Sequence, residues 1–248
     1  MLTAFLKRLE AYVRLSDDDR EALSSLRTRR RVYETAAVIT REDEKLNTVF
    51  WVESGWACRY RRLKNGERQI VNFILPGEFF DLQGLVSTRS DHTVSALSEV
   101  VLFEAPAEAF AAMAGDHPAI FNALLWAAVV EEAILREHIV QLGRQPAVTR
   151  IAFLILELYR RQALTGSNHD HTLDFPVGQG VIADALGLSR VHVSRSLKKL
   201  RDDGCIALAE RHIKILHLEK LEAIAEYNER YLHIQPVGAP GAGLIPRA

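Results

Sequence analysis

Between Ser189 and Arg201 the chain carries five basic residues, Arg190, Arg195, Lys198, Lys199 and Arg201, and no acidic one. Cationic side chains at this density suit phosphate oxygens, and arginine can also bind guanine O6 and N7 through two parallel N–H bonds. A charge run can equally be a solvated helix face, so the spacing decides how far the reading goes. Val193, Leu197 and Leu200 recur at four and three and predict the buried stripe of a helix. Arg190, Ser194, Lys198 and Arg201 then fall on the other side, with His192, Arg195 and Lys199 flanking it. Ser189 is a suitable N-cap, and Asp202-Asp203-Gly204 closes the helix with glycine at the C′ position.

The element ahead of this helix must hold it in place. Gln179 to Leu186 reads as a helix with Ile182, Ala185 and Leu186 on its apolar side. Gly187 permits a left-handed turn, and Leu188 can fill the gap between the two helices. Ile206–Ala209 and His212–Ile215 follow as two short strands, a winged hairpin. Helix, glycine turn, basic helix and wing together predict a helix-turn-helix that binds DNA. The N-terminal turn of its second helix would reach base edges in the major groove, while Lys198 and Lys199 would grip phosphates and read no sequence. The DNA-contact candidates are Gln179, Ser189, Arg190, His192, Ser194, Arg195, Lys198 and Lys199. On the residues alone, a purely structural helical hairpin is the alternative.

A second pattern concerns assembly. After His117-Pro118, residues Phe121, Leu125, Ala128, Glu132, Leu135, Ile139 and Leu142 alternate spacings of four and three, and all but Glu132 are apolar. That is a heptad seam. A helix from Pro118 to Leu142 would run roughly 37 Å at 1.5 Å per residue. Ala127, Val130 and Ile134 form a second apolar face. The helix is therefore expected to pack its own domain on one side and a second copy on the other, although a single-chain core helix also fits. Gly143 is expected to end it, Pro146 to follow, and Ala147–Gln162 to form the next helix.

Ahead of the long helix, residues 1–26 read as helical, with Ser16 and Asp19 spaced as a capping box. From about Val32 to Pro106 the pattern turns strand-like. Val49-Phe50-Trp51-Val52 stops at Ser54-Gly55, and Asn65-Gly66 joins two strand-like runs as a type I′ hairpin would. Val94–Phe103 adds further strands, and Pro106–Met113 reads as a short helix. Short strands about ten residues apart suggest a small antiparallel barrel or roll.

Composition bounds what else the chain can be. It has 248 residues, 48% hydrophobic and 25% charged, with a net charge of −1, so it is globular and only locally basic. The N-terminus lacks the apolar run of a signal peptide, and no span free of charge suggests a membrane helix, so the expectation is a cytoplasmic protein. Cys58 and Cys205 lie in no CxxC pair and are expected to be reduced. His169-Asp170-His171 has no second ligand cluster and reads as a solvated loop. Asp81, Asp91 and His92 could be imagined as an acid–base cluster, but no nucleophile elbow, phosphate loop or metal spacing accompanies them. Neither an enzyme nor a cofactor is expected. The stretch 234–248, with Pro236, Pro240 and three glycines, is expected to be a disordered tail.

Gly187-Leu188-Ser189 followed by Val191-His192-Val193-Ser194-Arg195-Ser196-Leu197 resembles the helix-turn-helix of the cyclic AMP receptor protein and FNR (Crp/Fnr) superfamily of bacterial regulators. Ser54–Tyr60 and Gln69–Phe79 look like that family's β-roll, and the resemblance spans about residues 10–230. It implies an α+β fold with an N-terminal cyclic-nucleotide-binding-like β-roll (1–116), a long dimerisation helix (117–143) and a C-terminal winged helix-turn-helix (144–233). It further implies a homodimer that regulates transcription by binding double-stranded DNA at an inverted repeat. RNA polymerase and a small-molecule effector are further partners that it allows, and a membrane is not. The dimer contacts would be Phe121, Leu125, Ala128, Leu135, Ile139 and Leu142. Arg190 and Arg195 occupy places where members carry DNA-contacting arginines, and Ser194 matches the FNR-type serine. The family's frequent glutamate falls on Val191, which could instead touch a thymine methyl.

The sensory end departs from the family. The cyclic AMP branch holds ribose and phosphate with a Gly-Glu-Leu run and a later Arg-Ser. Here those places read Asp81-Leu82-Gln83 and His92-Thr93, which makes Asp81, Gln83, His92 and Thr93 the candidate effector pocket. A phosphate needs cationic or N–H partners, so cyclic AMP is not the expected effector. The Fe–S cysteines of FNR are missing, and the haem-ligating Cys and His of the carbon-monoxide sensors map near Asp81 and Gln83. A cyclic-nucleotide-binding regulatory module is the alternative that the β-roll leaves open.

Overall fold

The structure is a computed structural model that describes residues 3–86, 89–166 and 170–233. Positions 167–169 of the polar loop and the stretch 234–248 lie outside them. The chain forms two compact units, one built from residues up to Ala57 and from Ile74–Ala133, the other from Cys58–Phe73 and Ile134–Tyr231.

The first unit begins with helices α1 (Thr3–Glu10) and α2 (Asp17–Ser25). The expected capping box is present: the Ser16 hydroxyl accepts from the Asp19 N–H at 3.1 Å, and Asp19 accepts from the Ser16 N–H at 2.8 Å. Strands β1 (Arg29–Tyr33), β2 (Val38–Thr40) and β3 (Thr48–Ser54) come next. The hairpin β4 (Ala57–Arg62) and β5 (Arg68–Ile74) lies mostly in the second unit, and β6 (Phe79–Phe80), β7 (Thr93–Ala96) and β8 (Val100–Pro106) return to the first. One antiparallel sheet runs β1-β8-β3-β6, and β2 pairs with β7.

Strand β3 reads as an unbroken apolar run because both of its faces are buried. Val49 and Trp51 join a core with Phe5, Phe103 and Phe110, where the Trp51 ring stacks on Phe5 at 5.2 Å. Phe50 and Val52 face the opposite core with Phe80 and Leu102. The strand ends at Gly55, whose φ is +81°; a Cβ there would sit 2.0 Å from the Glu99 carbonyl oxygen, so only glycine fits.

The β4–β5 turn forms where expected, but not as type I′. Gly66 alone is left-handed, at φ +88°, while Leu63 accepts from the Gly66 N–H at 3.0 Å and pairs with Glu67 at 2.7 Å. This is a type I turn closed by a glycine bulge. The Asn65 side chain explains the choice: it accepts from the Glu67 N–H at 3.1 Å, a bond that ties the turn from within.

Helix α3 (Ala107–Asp116) leads into α4 (Pro118–Arg144), 27 residues and about 40 Å long. Contrary to expectation it runs through Gly143. Pro146 stops it instead, because the residue before a proline is pushed out of the α region. Ile120, Ala123 and Leu124 sink into the core of the first unit. Phe121 (46% exposed), Leu125 (42%), Val129 (45%) and Ile139 (70%) lie outside it. Pro118–Leu135 holds just two charged residues, Glu131 and Glu132, so by length and composition α4 could also cross a bilayer.

The second unit gathers around α5 (Ala147–Ala163), which packs against α6 (Gln179–Leu186), α7 (Arg190–Asp202) and α8 (Leu218–Ala225). A three-stranded sheet completes it, in the order β10 (Ile206–Ala209), β11 (His212–Ile215), β9 (Thr172–Asp174). The wing strands match the expectation. Strand β9 is an addition that pairs Leu173 with Ile213; its one buried apolar residue gives no periodicity to read.

Candidate nucleic-acid interface

Gly187 caps α6 in the left-handed region at φ +60°, and Ser189 starts α7 by accepting from the His192 N–H at 3.3 Å. Val193, Leu197 and Leu200 are buried as the stripe required, and Ser196 is buried with them. All eight DNA-contact candidates lie on the exposed surface of α6, α7 or the turn between them.

Their side chains are not equally available. The Ser189 hydroxyl lies 3.2 Å from His192 Nδ1, so those two residues engage each other. Lys198 pairs with Asp202 at 2.9 Å and Lys199 with Asp203 at 3.0 Å, one helical turn on. Such exposed pairs are worth only about 0.3–0.5 kcal/mol and yield readily to a phosphate. Arg190, Arg195 and Arg201 make no side-chain hydrogen bond or ion pair among the described residues. Arg195 therefore presents an uncommitted guanidinium one turn into α7.

Arg190 is uncommitted but not unplaced. Its Nη2, Nε and Cζ lie 3.0, 3.2 and 3.3 Å from where a Cβ on Gly180 would be, so the guanidinium rests flat against the first turn of α6. Gly180→Ala is expected to move that guanidinium while leaving the fold intact, since alanine favours a helix by about 0.8–1 kcal/mol over glycine. The measurement is a double-mutant cycle with Arg190→Ala on operator binding. Gly180→Ala should weaken binding several-fold in the parent and change nothing once Arg190 is gone; additive effects would show that the contact is incidental.

Sequence reasoning passed over Arg211. It sits at the tip of the wing, in the left-handed region at φ +61° and exposed, between paired Ala209 and His212. A cation in a two-residue turn between wing strands was the available signal.

At the sensory end, three of the four candidates meet. His92 Nε2 lies 3.0 Å from Asp81 Oδ1, and His92 Nδ1 lies 2.7 Å from Asp91 Oδ1. Gln83 donates to Asp91 at 3.2 Å. Asp81 and His92 are buried, and Asp81 adopts φ +62°. The hydrogen bond from His92 holds the Asp91 carboxyl below its ordinary value, against the effect of burial. Thr93 turns elsewhere and accepts from the Glu42 N–H at 3.2 Å. The cluster sets two carboxylates around one imidazole, which is poor ground for a phosphate. Cys58 and Cys205 are both buried, and burial pushes the Cys205 thiol up.

Residues 30–117 match the cyclic nucleotide-binding domain family, and residues 149–224 match the Crp-like helix-turn-helix domain. The nitrogen fixation regulation protein FixK of Bradyrhizobium diazoefficiens is 30% identical over 79% of this chain and 82% of its own. The transcriptional activator protein FnrL of Cereibacter sphaeroides is 30% identical over 77% of this chain and 78% of its own. Among solved structures, FixK2 from Bradyrhizobium japonicum superposes with a TM-score of 0.73 at 26% identity, covering 80% of this chain and 98% of that one. The α+β architecture of β-roll, long helix and C-terminal helix-turn-helix is thus shared, and the chain belongs to the Crp/Fnr family of DNA-binding transcriptional regulators, not to a family of enzymes.

Proposed function

We propose that the protein works as a homodimer joined along α4, each copy laying α7 in the major groove of one half of an inverted repeat. The observation that carries this reading is the exposed apolar row on α4, from Phe121 and Leu125 to Ile139. Monomers rarely leave such a row in water, and a second copy of the same helix is its natural cover. The opposite face of α4 is committed to the core of the first unit, which argues against a lipid surround on all sides. The domain roles follow: 1–116 as sensory β-roll, 117–143 as dimer helix, 144–233 as reader. The protein would act in the cytoplasm, where its DNA is, and the likeness to a named transcriptional activator supports contact with RNA polymerase. The effector, where one acts, is not cyclic AMP: Asp81 and His92 engage each other at 3.0 Å, and a carboxylate in that position opposes a phosphate.

Selection of operators from a pool of random duplexes tests this directly. The expected product has two inverted half-sites about 10 base pairs apart, centre to centre, and binds two chains. Adding cyclic AMP should leave the affinity unchanged. A single half-site bound by one chain would overturn the dimer reading, and tightening by cyclic AMP would overturn the effector reading.

A further inference from the structure

The second unit buries an ion cluster that DNA binding by α7 does not use. Glu157 and Arg161 sit one turn apart on α5, at 0% and 1% exposure. Arg161 Nη1 donates to Glu157 Oε1 at 2.8 Å and to Asn72 Oδ1 at 3.2 Å, and Nη2 donates to the Phe73 carbonyl at 2.6 Å. The other Glu157 oxygen, Oε2, lies 2.8 Å from His138 Nε2 on α4. The Val71 backbone of β5 adds a smaller contribution in favour of the charged ring. Three elements, α4, α5 and β5, are thereby bonded to one another through a single carboxylate and its two cations.

A carboxylate can only accept, so Nε2 carries a hydrogen toward Glu157. A second proton on the ring sets a full positive charge beside the buried carboxylate, and its loss leaves Arg161 as the one cation bonded to Glu157. The charged groups around His138 are Glu157 and Arg161 from α5, with Arg150 lining the small cavity beside it. From β5 come Val71 and the amide of Asn72. Burial disfavours the imidazolium, but the charge and hydrogen bond of Glu157 outweigh it and hold His138 above its ordinary value. Burial likewise opposes the Glu157 carboxylate, and His138 and Arg161 more than offset that.

The same strand reaches the helix-turn-helix. Two residues before Val71, Gln69 donates to the Ala185 carbonyl of α6 at 3.0 Å, and Arg68 pairs with Asp184 of α6 at 2.5 Å. Arg68 is itself steadied by the Tyr60 ring, 5.5 Å away on β4. We infer that His138 is a positioning residue for DNA binding: its proton fastens α4 to the Glu157–Arg161 pair of α5, that pair holds β5, and β5 in turn holds α6 beneath the recognition helix. The sign follows from the geometry. A group charged more readily in the fastened state contributes below its ordinary value and ceases to contribute as pH rises through its raised one. The fastening is complete in mild acid and weakens from neutral pH upward.

The test rests on DNA reading by α7, so it includes a readout without DNA. Operator affinity is measured from pH 6 to pH 9 for the full chain and for His138→Lys, both carrying His192→Gln to silence the histidine on α7. The parent should lose affinity as pH rises, by about tenfold for each unit by which fastening raises the imidazole pKa. His138→Lys, a cation throughout, should bind well and show a flat profile. Coincident profiles would overturn the inference. Hydrogen exchange of the β4–β5 amides in the unmutated chain, relative to α8 amides at each pH, covers the case in which the lysine variant does not fold. Protection should fall with rising pH, and constant protection would overturn the inference. Exchange that responds to pH while DNA binding is absent at every pH would count against α7 as the reader and leave the fastening in place.

Discussion

The double variant Leu125→Glu, Ile139→Glu is expected to sediment as a monomer at micromolar concentration, where the unmodified protein is expected to sediment as a dimer. Both side chains are exposed, at 42% and 70%, so the change leaves the core of each copy untouched. A parallel pair of helices sets each seam residue against its own counterpart, so each substitution places two carboxylates face to face. Each buried leucine or isoleucine also contributes about 1.5–3 kcal/mol when removed from water, and the dimer would lose four of them. Operator affinity should fall by about a hundredfold or more, because the second half-site is no longer tethered to the first. The checks are sedimentation together with circular dichroism. A dimer that survives both glutamates, with unchanged helix content, would mean that the subunits meet on another surface.

Where the sequence was readable, one physical rule dominated its neighbourhood. Gly187, Ser189 and the Val193-Leu197-Leu200 stripe each obey a local requirement of turn, cap or face, and the structure places them accordingly. The heptad row was readable for the same reason: helical period alone puts Phe121, Leu125 and Ile139 on one side. The failures lie where a side chain or a distant strand decides. Asn65 bonds Glu67 and so selects another turn; Gly143 stays helical because Pro146 sets the boundary. Thr93 accepts from the Glu42 backbone, a bond across 51 positions that no local pattern announces. Glu157 and Arg161, spaced as an ordinary surface pair at four residues, gave no sign of burial. Only His138, 19 positions upstream, and β5, more than 80 positions upstream, make them a core cluster.

Arg195→Ala should separate reading from gripping. The guanidinium is exposed, pairs with nothing among the described residues, and sits one turn into a helix whose buried stripe faces its own domain. Such a group can take a guanine edge in two parallel bonds, and its removal should cost about 1–3 kcal/mol per half-site. Over a dimer that compounds to about 2–6 kcal/mol, between one and four orders of magnitude in Kd. The effect should appear on the selected operator and be small on a scrambled duplex. Lys199→Ala makes the contrast. Lys199 leaves only its Asp203 pair to meet a phosphate, so its removal should weaken both duplexes alike and reduce the salt slope by about one for each phosphate no longer neutralised. Titrating both variants against both duplexes at two salt concentrations gives the answer. Equal weakening by Arg195→Ala on operator and scrambled DNA would make Arg195 a backbone-gripping residue. The reading face would then turn toward Arg190, whose guanidinium would have to leave Gly180, and toward His192, whose ring would have to leave Ser189.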